Sequence, residues 1–209
     1  MLRRSNLTTA KSLLEAEEEP IRQAMDDMIQ TKDLIKEDES IYMPPFFYAE
    51  SGTAKRLVEL TEAEDKKKPV FNIDAISEST GIEYDEVQVD AIRQAVESKV
   101  MVLTGGPGTG KTTTTQGIIA ALKTAGMSII LAAPTGRAAK RMSEATGMEA
   151  KTIHRLLEYN PMDGYKRNDE NPLDGDALIL DECSMIDILL MNNLMKAIPL
   201  NMRLISCHL

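Results

Sequence analysis

The sequence predicts an α/β fold: a parallel sheet carrying a phosphate-binding loop, preceded by a small, mainly helical region. Three observations predict it. Gly105-Gly-Pro-Gly-Thr-Gly-Lys-Thr112 fits the pattern G-x-x-x-x-G-K-[ST] in full. From Asp85 onward, short apolar runs alternate with helical stripes, which is the signature of β-α-β units. Finally, Leu178-Ile-Leu-Asp181-Glu182 is an apolar strand that carries two acids to its C-terminal end, where open α/β sheets bind ligands.

Each element has its own justification. Thr8 and Thr9 suit the cap of a helix running to about Glu18, and Pro20 suits the first turn of a second helix. Ile21, Met25, Met28 and Ile29 share one face of that second helix. Leu34–Met43 reads as strand–turn–strand, ended by a break at Pro44-Pro45, and a helix follows over about Ala49–Leu60. Glu62–Lys68 is a solvated, charged linker. Val87, Ala91, Ile92 and Ala95 form the next helical stripe. Strands are expected at Val100–Thr104, Ser128–Ala133, Ala177–Leu180 and Met202–Ile205, with helices at Lys111–Ala125 and Arg137–Ala145. Asn160–Gly175, with its prolines and glycines, reads as an exposed loop.

The 209 residues, 43% of them hydrophobic, suffice to bury a core without a disulfide or metal staple. The net charge of −9 is uneven: residues 1–98 carry 12 basic against 22 acidic side chains, and residues 99–209 carry 12 against 11. That shift places a boundary near residue 98. The acidic total argues against a non-specific nucleic-acid coat but leaves room for a local basic groove. Cys183 and Cys207 make no zinc spacing and no disulfide framework. No apolar run reaches the roughly 18 residues of a membrane helix. Met1–Ala10 also lacks the apolar core of a signal peptide, so a soluble, cytoplasmic protein with no membrane partner is expected.

The loop explains its own spacing. Gly105, Gly106, Pro107, Gly108, Thr109 and Gly110 let successive backbone N–H groups converge on phosphate oxygens, and the helix opening at Lys111 aims its positive end at the same anion. Lys111 then reaches the β- and γ-phosphates, the Thr112 hydroxyl ligates Mg²⁺, and Thr113 follows in the same first turn. Asp181 is expected to hold Mg²⁺ through water, and Glu182 to act as general base toward water. The expected cofactors are ATP and Mg²⁺. Taken alone, an Asp-Glu pair after a strand also reads as a solvated turn.

With these two sites placed, further segments stand in order: Ala133-Pro-Thr-Gly-Arg-Ala-Ala-Lys-Arg141, Thr152-Ile-His-Arg-Leu-Leu157 and Asp181-Glu-Cys-Ser-Met185. Together with Thr104–Thr114 they resemble the superfamily 1 DNA helicases of the RecD-like group across about residues 84–205. Upstream, Ile41-Tyr-Met-Pro and Tyr48-Ala-Glu50 resemble the segment before the motor in such proteins. The resemblance implies a RecA-like sheet, ATP-dependent DNA unwinding, and single-stranded DNA or DNA with a single-stranded tail as partner. It also implies three parts: a helical region at 1–70, a linker and adenine-side helix at 71–98, and a partial motor domain at 99–209.

By position, the resemblance makes Gln88 the reader of the adenine edge, which a carboxamide can both donate to and accept from. Pro134, Thr135, Gly136 and Arg137 match a motif that lies along single-stranded DNA, and Thr152 and His154 match a later DNA-side motif. The five basic residues against two acidic ones over 137–155 can track a phosphate backbone. On residues alone, Gln88 reads as a surface residue, His154 as a core or capping histidine, and the basic stretch as a solvated helix face. After the fourth strand such motors continue into a γ-phosphate-sensing motif and a second RecA-like domain. Here Ser206-Cys-His-Leu209 stands instead, so weak or absent hydrolysis is expected of this chain. The rival classes are a phosphate-loop switch or binding module without DNA and, third, a small-molecule kinase. Neither requires the DNA-side motifs.

Overall fold

The structure, a computed structural model, describes residues 5–65, 69–106 and 108–208. Lys66–Lys68 of the expected linker and Pro107 of the glycine loop lie outside the described residues. Two compact units divide at Thr53 and Ala54, inside the stretch read from sequence as the N-terminal region.

In the first unit, α1 (Ser5–Leu14) starts upstream of the expected threonine cap, and α2 (Glu18–Gln30) follows with Pro20 in its first turn. Ile21 of α2 is buried and Met25 and Ile29 are half-buried, while Met28 is exposed. β1 (Ile35–Glu37) and β2 (Ser40–Tyr42) pair antiparallel, Ile35 opposite Tyr42 and Glu37 opposite Ser40, as the strand–turn–strand reading expected. Helix α3 (Pro44–Glu62) begins in this unit and ends in the next. Pro44 and Pro45 therefore open a helix rather than break the chain, because a proline in the first turn gives up only N–H groups that have no intrahelical acceptor.

In the second unit, α4 (Ile73–Thr80) is capped by Asn72, whose side chain accepts from Ala75 N at 3.2 Å. α5 (Glu86–Glu97), β3 (Val100–Thr104), α6 (Lys111–Thr124), β4 (Ile129–Ala133) and α7 (Gly136–Thr146) then alternate. After them come β5 (Ala150–Thr152), the short α8 (Ile153–Leu156), a small hairpin of β6 (Tyr159–Asn160) and β7 (Gly164–Tyr165), and β8 (Ala177–Leu180). A 3₁₀ turn at Cys183–Met185, α9 (Ile188–Ala197) and β9 (Arg203–His208) complete the order.

The sheet is parallel throughout, in the order β3-β9-β8-β4-β5. This is the RecA-like α/β fold that the sequence predicts. A parallel strand covered on both faces reads as a continuous apolar run, and β8 is buried at all four positions. Its side chains alternate between two cores. Ala177 and Ile179 join Ile92, Ile118 and Leu122 from α5 and α6, whereas Leu178 and Leu180 join Leu190 and Leu194 from α9. Gly117 permits the close approach of α5 to α6, since a Cβ there would meet Ile92 and stand 3.0 Å from the Tyr84 ring.

Three expectations need correcting. The buried face of α5 is Ile92, Ala95 and Val96, and Val87 is exposed instead. The last strand is not Met202–Ile205 but runs from Arg203 through His208, pairing as far as Thr104 opposite His208. The stretch 160–175 is not all loop, because it contributes Asn160 of β6 and the whole of β7 to the hairpin. That strand ladder is too short for a periodicity to register in the sequence.

At the N-terminal ends of β3 and β9, charge is buried. Arg203 is 1% exposed, and its guanidinium donates to the Asp65 carboxylate and to Ser98 O. Lys99 Nζ lies 4.0 Å from the same carboxylate. Burial lowers the pKa of both cations; for Lys99 Asp65 opposes that shift and Arg203 adds to it.

Candidate functional site

The glycine loop connects β3 to α6, so the motif lies between a strand and a helix as the pattern requires. Gly110 is the N-cap of α6 at φ +78°, a region that costs any residue with a Cβ. A Cβ there would also stand 2.5 Å from Gln88 Nε2. Gln88 is therefore packed against the loop. It is held by a capping box at the start of α5: its backbone N–H donates to Asp85 Oδ1 at 2.9 Å, and its Oε1 accepts from Asp85 N at 3.1 Å.

A cleft of about 560 Å³ opens beside the loop, lined by Gly108, Thr109, Gly110, Lys111 and Thr112 on one side and by Asp181 and Glu182 on another. The topology brings these together, because β8 ends at Leu180, one strand removed from β3 across β9. Lys111 Nζ donates to Gly105 O and, at 2.7 Å, to Gly106 O, folding back over its own loop. Thr109 Oγ1 donates to Gly106 O at 2.9 Å. Thr113, in the first turn of α6, is not among the lining residues.

On the opposite wall, Glu182 has φ +53°, the left-handed region, and its backbone N–H donates to Asp181 Oδ1 at 2.9 Å. Its carboxylate accepts from Arg141, on α7. Sequence reasoning placed Arg141 in a basic stretch facing DNA; its position four residues after Arg137 gave no sign that it enters the cleft. Cys207, buried on β9, also lines the cleft and lies 3.7 Å from Thr115 Oγ1. Burial pushes the Cys207 thiol up to about 11 and the Cys183 thiol to about 12.

The expected DNA-side residues cluster at the C-terminal ends of β4 and β5. Pro134 links β4 to α7; Thr135 caps α7, accepting from Ala138 N at 3.2 Å, and Gly136 and Arg137 form the exposed first turn. Thr152 ends β5 and caps α8, accepting from Arg155 N at 3.2 Å. His154 is exposed, which removes the core-histidine reading. Its ring stands 5.5 Å from the ring of Tyr159, and Tyr159 stands 4.7 Å from Tyr165. Tyr165 lies in the stretch read from sequence as a loop and Tyr159 just before it, so the aromatic cluster was invisible before the fold. Desolvation by burial, then Tyr159 and Asp187, raises the Tyr165 pKa.

A parallel sheet, a glycine loop opening a helix, and an acid pair ending a neighbouring strand define a phosphate-loop nucleotide-binding domain. The family described as "AAA domain" matches residues 88–207. The chain belongs to that family and, within it, to the RecD-like helicases of superfamily 1. It is 39% identical over 160 residues to the ATP-dependent RecD2 DNA helicase of Deinococcus radiodurans, covering 76% of this chain and 22% of that protein. It is 32% identical over 190 residues to the RecBCD enzyme subunit RecD of Mycolicibacterium smegmatis, covering 79% and 33%. The ATP-dependent DNA helicase dda of phage T4 is 46% identical over 112 residues, covering 49% and 25%. The chain thus spans 22 to 33% of the length of these curated relatives. Among solved structures, the Pif1 helicase of Candida albicans aligns with a TM-score of 0.43 and 22% identity, covering 61% of this chain and 32% of that one.

Proposed function

We propose that this chain binds ATP with Mg²⁺ in the cleft between the glycine loop and Asp181-Glu182, as the nucleotide-binding part of a DNA motor. The observation that carries the reading is the convergence of Lys111, Thr112, Asp181 and Glu182 on one cleft. The donor set fits the metal, since a hydroxyl and a carboxylate are hard oxygen ligands suited to Mg²⁺. Thr112 and Asp181 are the residues that hold it, and when bound it neutralises phosphate charge.

The residues divide the remaining work. The backbone of Gly105, Gly106 and Gly108–Gly110 and the N-terminus of α6 cradle the phosphates. Lys111 exchanges the Gly105 and Gly106 carbonyls for phosphate oxygens. Glu182 orients and deprotonates the attacking water. Gln88, fixed against the loop by its capping box, presents its carboxamide to the adenine. Pro134–Arg137, Thr152 and His154 form the face toward single-stranded DNA, or DNA with a single-stranded tail, and act from the ends of β4 and β5. Among the described residues no helix is long and apolar enough to cross a membrane.

Calorimetric titration of ATP–Mg²⁺ into the wild-type chain and Lys111→Ala tests the reading. Tight binding by the wild type and its loss in the variant are expected, and unchanged affinity sinks the assignment. Repeating the titration and an ATPase assay with an oligothymidylate separates the DNA motor from a nucleotide switch without DNA, which gives no response.

A further inference from the structure

One charged side chain in the cleft has no part in the functional reading above. Arg141 reaches into the cleft from α7 and donates to the Glu182 carboxylate. Three facts set this pair apart from a structural ion pair. The Arg141 side chain is 56% exposed and that of Glu182 only 15%, so the carboxylate is set in the wall and the guanidinium lies on its open side. The other basic residues of α7 stay out of the cleft: Lys140 pairs along the helix with Glu144 at 3.8 Å, and Arg137 is not among the lining residues. Lys111 is in the same condition as Arg141, with its ammonium held by the loop carbonyls. Each cation of the cleft is thus engaged by the protein itself, and the charges of Lys111, Arg141, Asp181 and Glu182 cancel.

We infer that Arg141 is a second phosphate-binding cation, held by Glu182 until a nucleoside triphosphate enters, and that its transfer to the terminal phosphate frees Glu182. This rests on the nucleotide-site reading and adds a residue to it. Exchange is favoured because a half-exposed ion pair is weak. A triphosphate carries several negative charges where Glu182 carries one. The guanidinium fork also matches two phosphate oxygens at once, which an ammonium cannot do. One movement then supplies charge to the phosphate and releases the carboxylate that faces water.

The test is a set of fluorescence titrations of the full 209-residue chain with a non-hydrolysable ATP analogue and with ADP, both with Mg²⁺. R141A is expected to weaken the triphosphate about tenfold, the scale of one charge-assisted hydrogen bond, and ADP less than about twofold. R141K is expected to fall between, because it keeps the charge and loses the fork. E182Q is expected to tighten triphosphate binding by releasing the guanidinium, and that gain is expected to vanish in the R141A/E182Q double variant. The inference is overturned if R141A and R141K change both nucleotides equally or not at all. It is also overturned if R141A tightens binding, or if the E182Q gain survives without Arg141. If the wild-type chain binds neither nucleotide, the nucleotide-site reading falls and the inference falls with it. Should R141A not fold, R141K and E182Q decide the question by themselves.

Discussion

Replacing Asp65 by Asn removes one negative charge from beneath the sheet and leaves its shape. The structure sets the size of the effect. Arg203 and Lys99, at 1% and 6% side-chain exposure, both face the Asp65 carboxylate at the starts of β9 and β3. Removing one partner of a buried ion pair costs about 3–5 kcal/mol, because the remaining charge is left desolvated. Here the Ser98 carbonyl still accepts from Arg203, so the lower end, about 3 kcal/mol, is expected. Against a total of about 5–15 kcal/mol, that is a large share. In urea, with a slope of about 2 kcal/mol/M, the midpoint falls by about 1.5 M. The deficit also depends on pH. The folded-state pKa of Lys99 lies below its ordinary 10.5, and losing Asp65 removes the contribution that raises it. The folded state sheds this proton before the unfolded state does, so stability rises as pH climbs toward 10.5. The gap between Asp65→Asn and wild type should therefore narrow in alkali, and adding Lys99→Met should restore part of the loss at neutral pH. A midpoint within about 0.2 M of wild type at pH 7 refutes the reasoning, since a solvated charge network costs little to break.

Glu182→Gln should leave ATP binding within about tenfold of wild type and abolish any hydrolysis, whereas Asp181→Asn should weaken Mg²⁺ dependence; calorimetry and phosphate release at varied Mg²⁺ distinguish them. Gly110→Ala and Gly81→Ala both force a Cβ into left-handed backbone, φ +78° and +69°, and should each lose about 1 kcal/mol in urea melts. Only the first displaces Gln88, so only it should weaken ATP binding in the same titrations. Cys183 and Cys207 should resist alkylation at pH 8 until urea unfolds the chain, as thiols pushed up to about 12 and about 11 form little thiolate. Their raised values contribute stability in full below pH 9.0, lost as pH rises through 11 and 12, and melts from pH 8 to pH 11 should show it.

The legible parts of this molecule share one property: their signal is local. The glycine loop follows β3 and opens α6, and the run Leu178–Leu180 lies in β8, as expected, because a phosphate loop and a doubly covered strand are defined by a few adjacent residues. What escaped is non-local. Asp65, 138 residues from Arg203, sat unremarked in a charge run read as a solvated linker. Val87 fitted the helical stripe of α5 with Ile92 and Ala95, but it lies exposed in the first turn, and the core takes Val96 along with those two. Tyr159 and Tyr165 meet His154 only because a two-residue ladder folds them back over α8.

Arg141 shows the same limit inside the candidate site. Counted by charge, it is one of five basic residues between 137 and 155. Its neighbours point the same way, because Arg137 lies in the first turn of α7 beside the expected DNA-side residues. A helix, however, turns about 100° per residue, so equal charges along it can serve different faces. Lys140 lies along the exposed surface, while Arg141, Met142 and Ala145 line the cleft. Helix α7 therefore joins the two proposed sites physically, with Thr135–Arg137 at its N-terminal end and Arg141 on Glu182 one turn later. A ligand that moves the first turn of a rigid helix also moves that guanidinium. On this reading, nucleic acid at Thr135–Arg137 and a nucleotide at Lys111 compete or cooperate through the same ion pair.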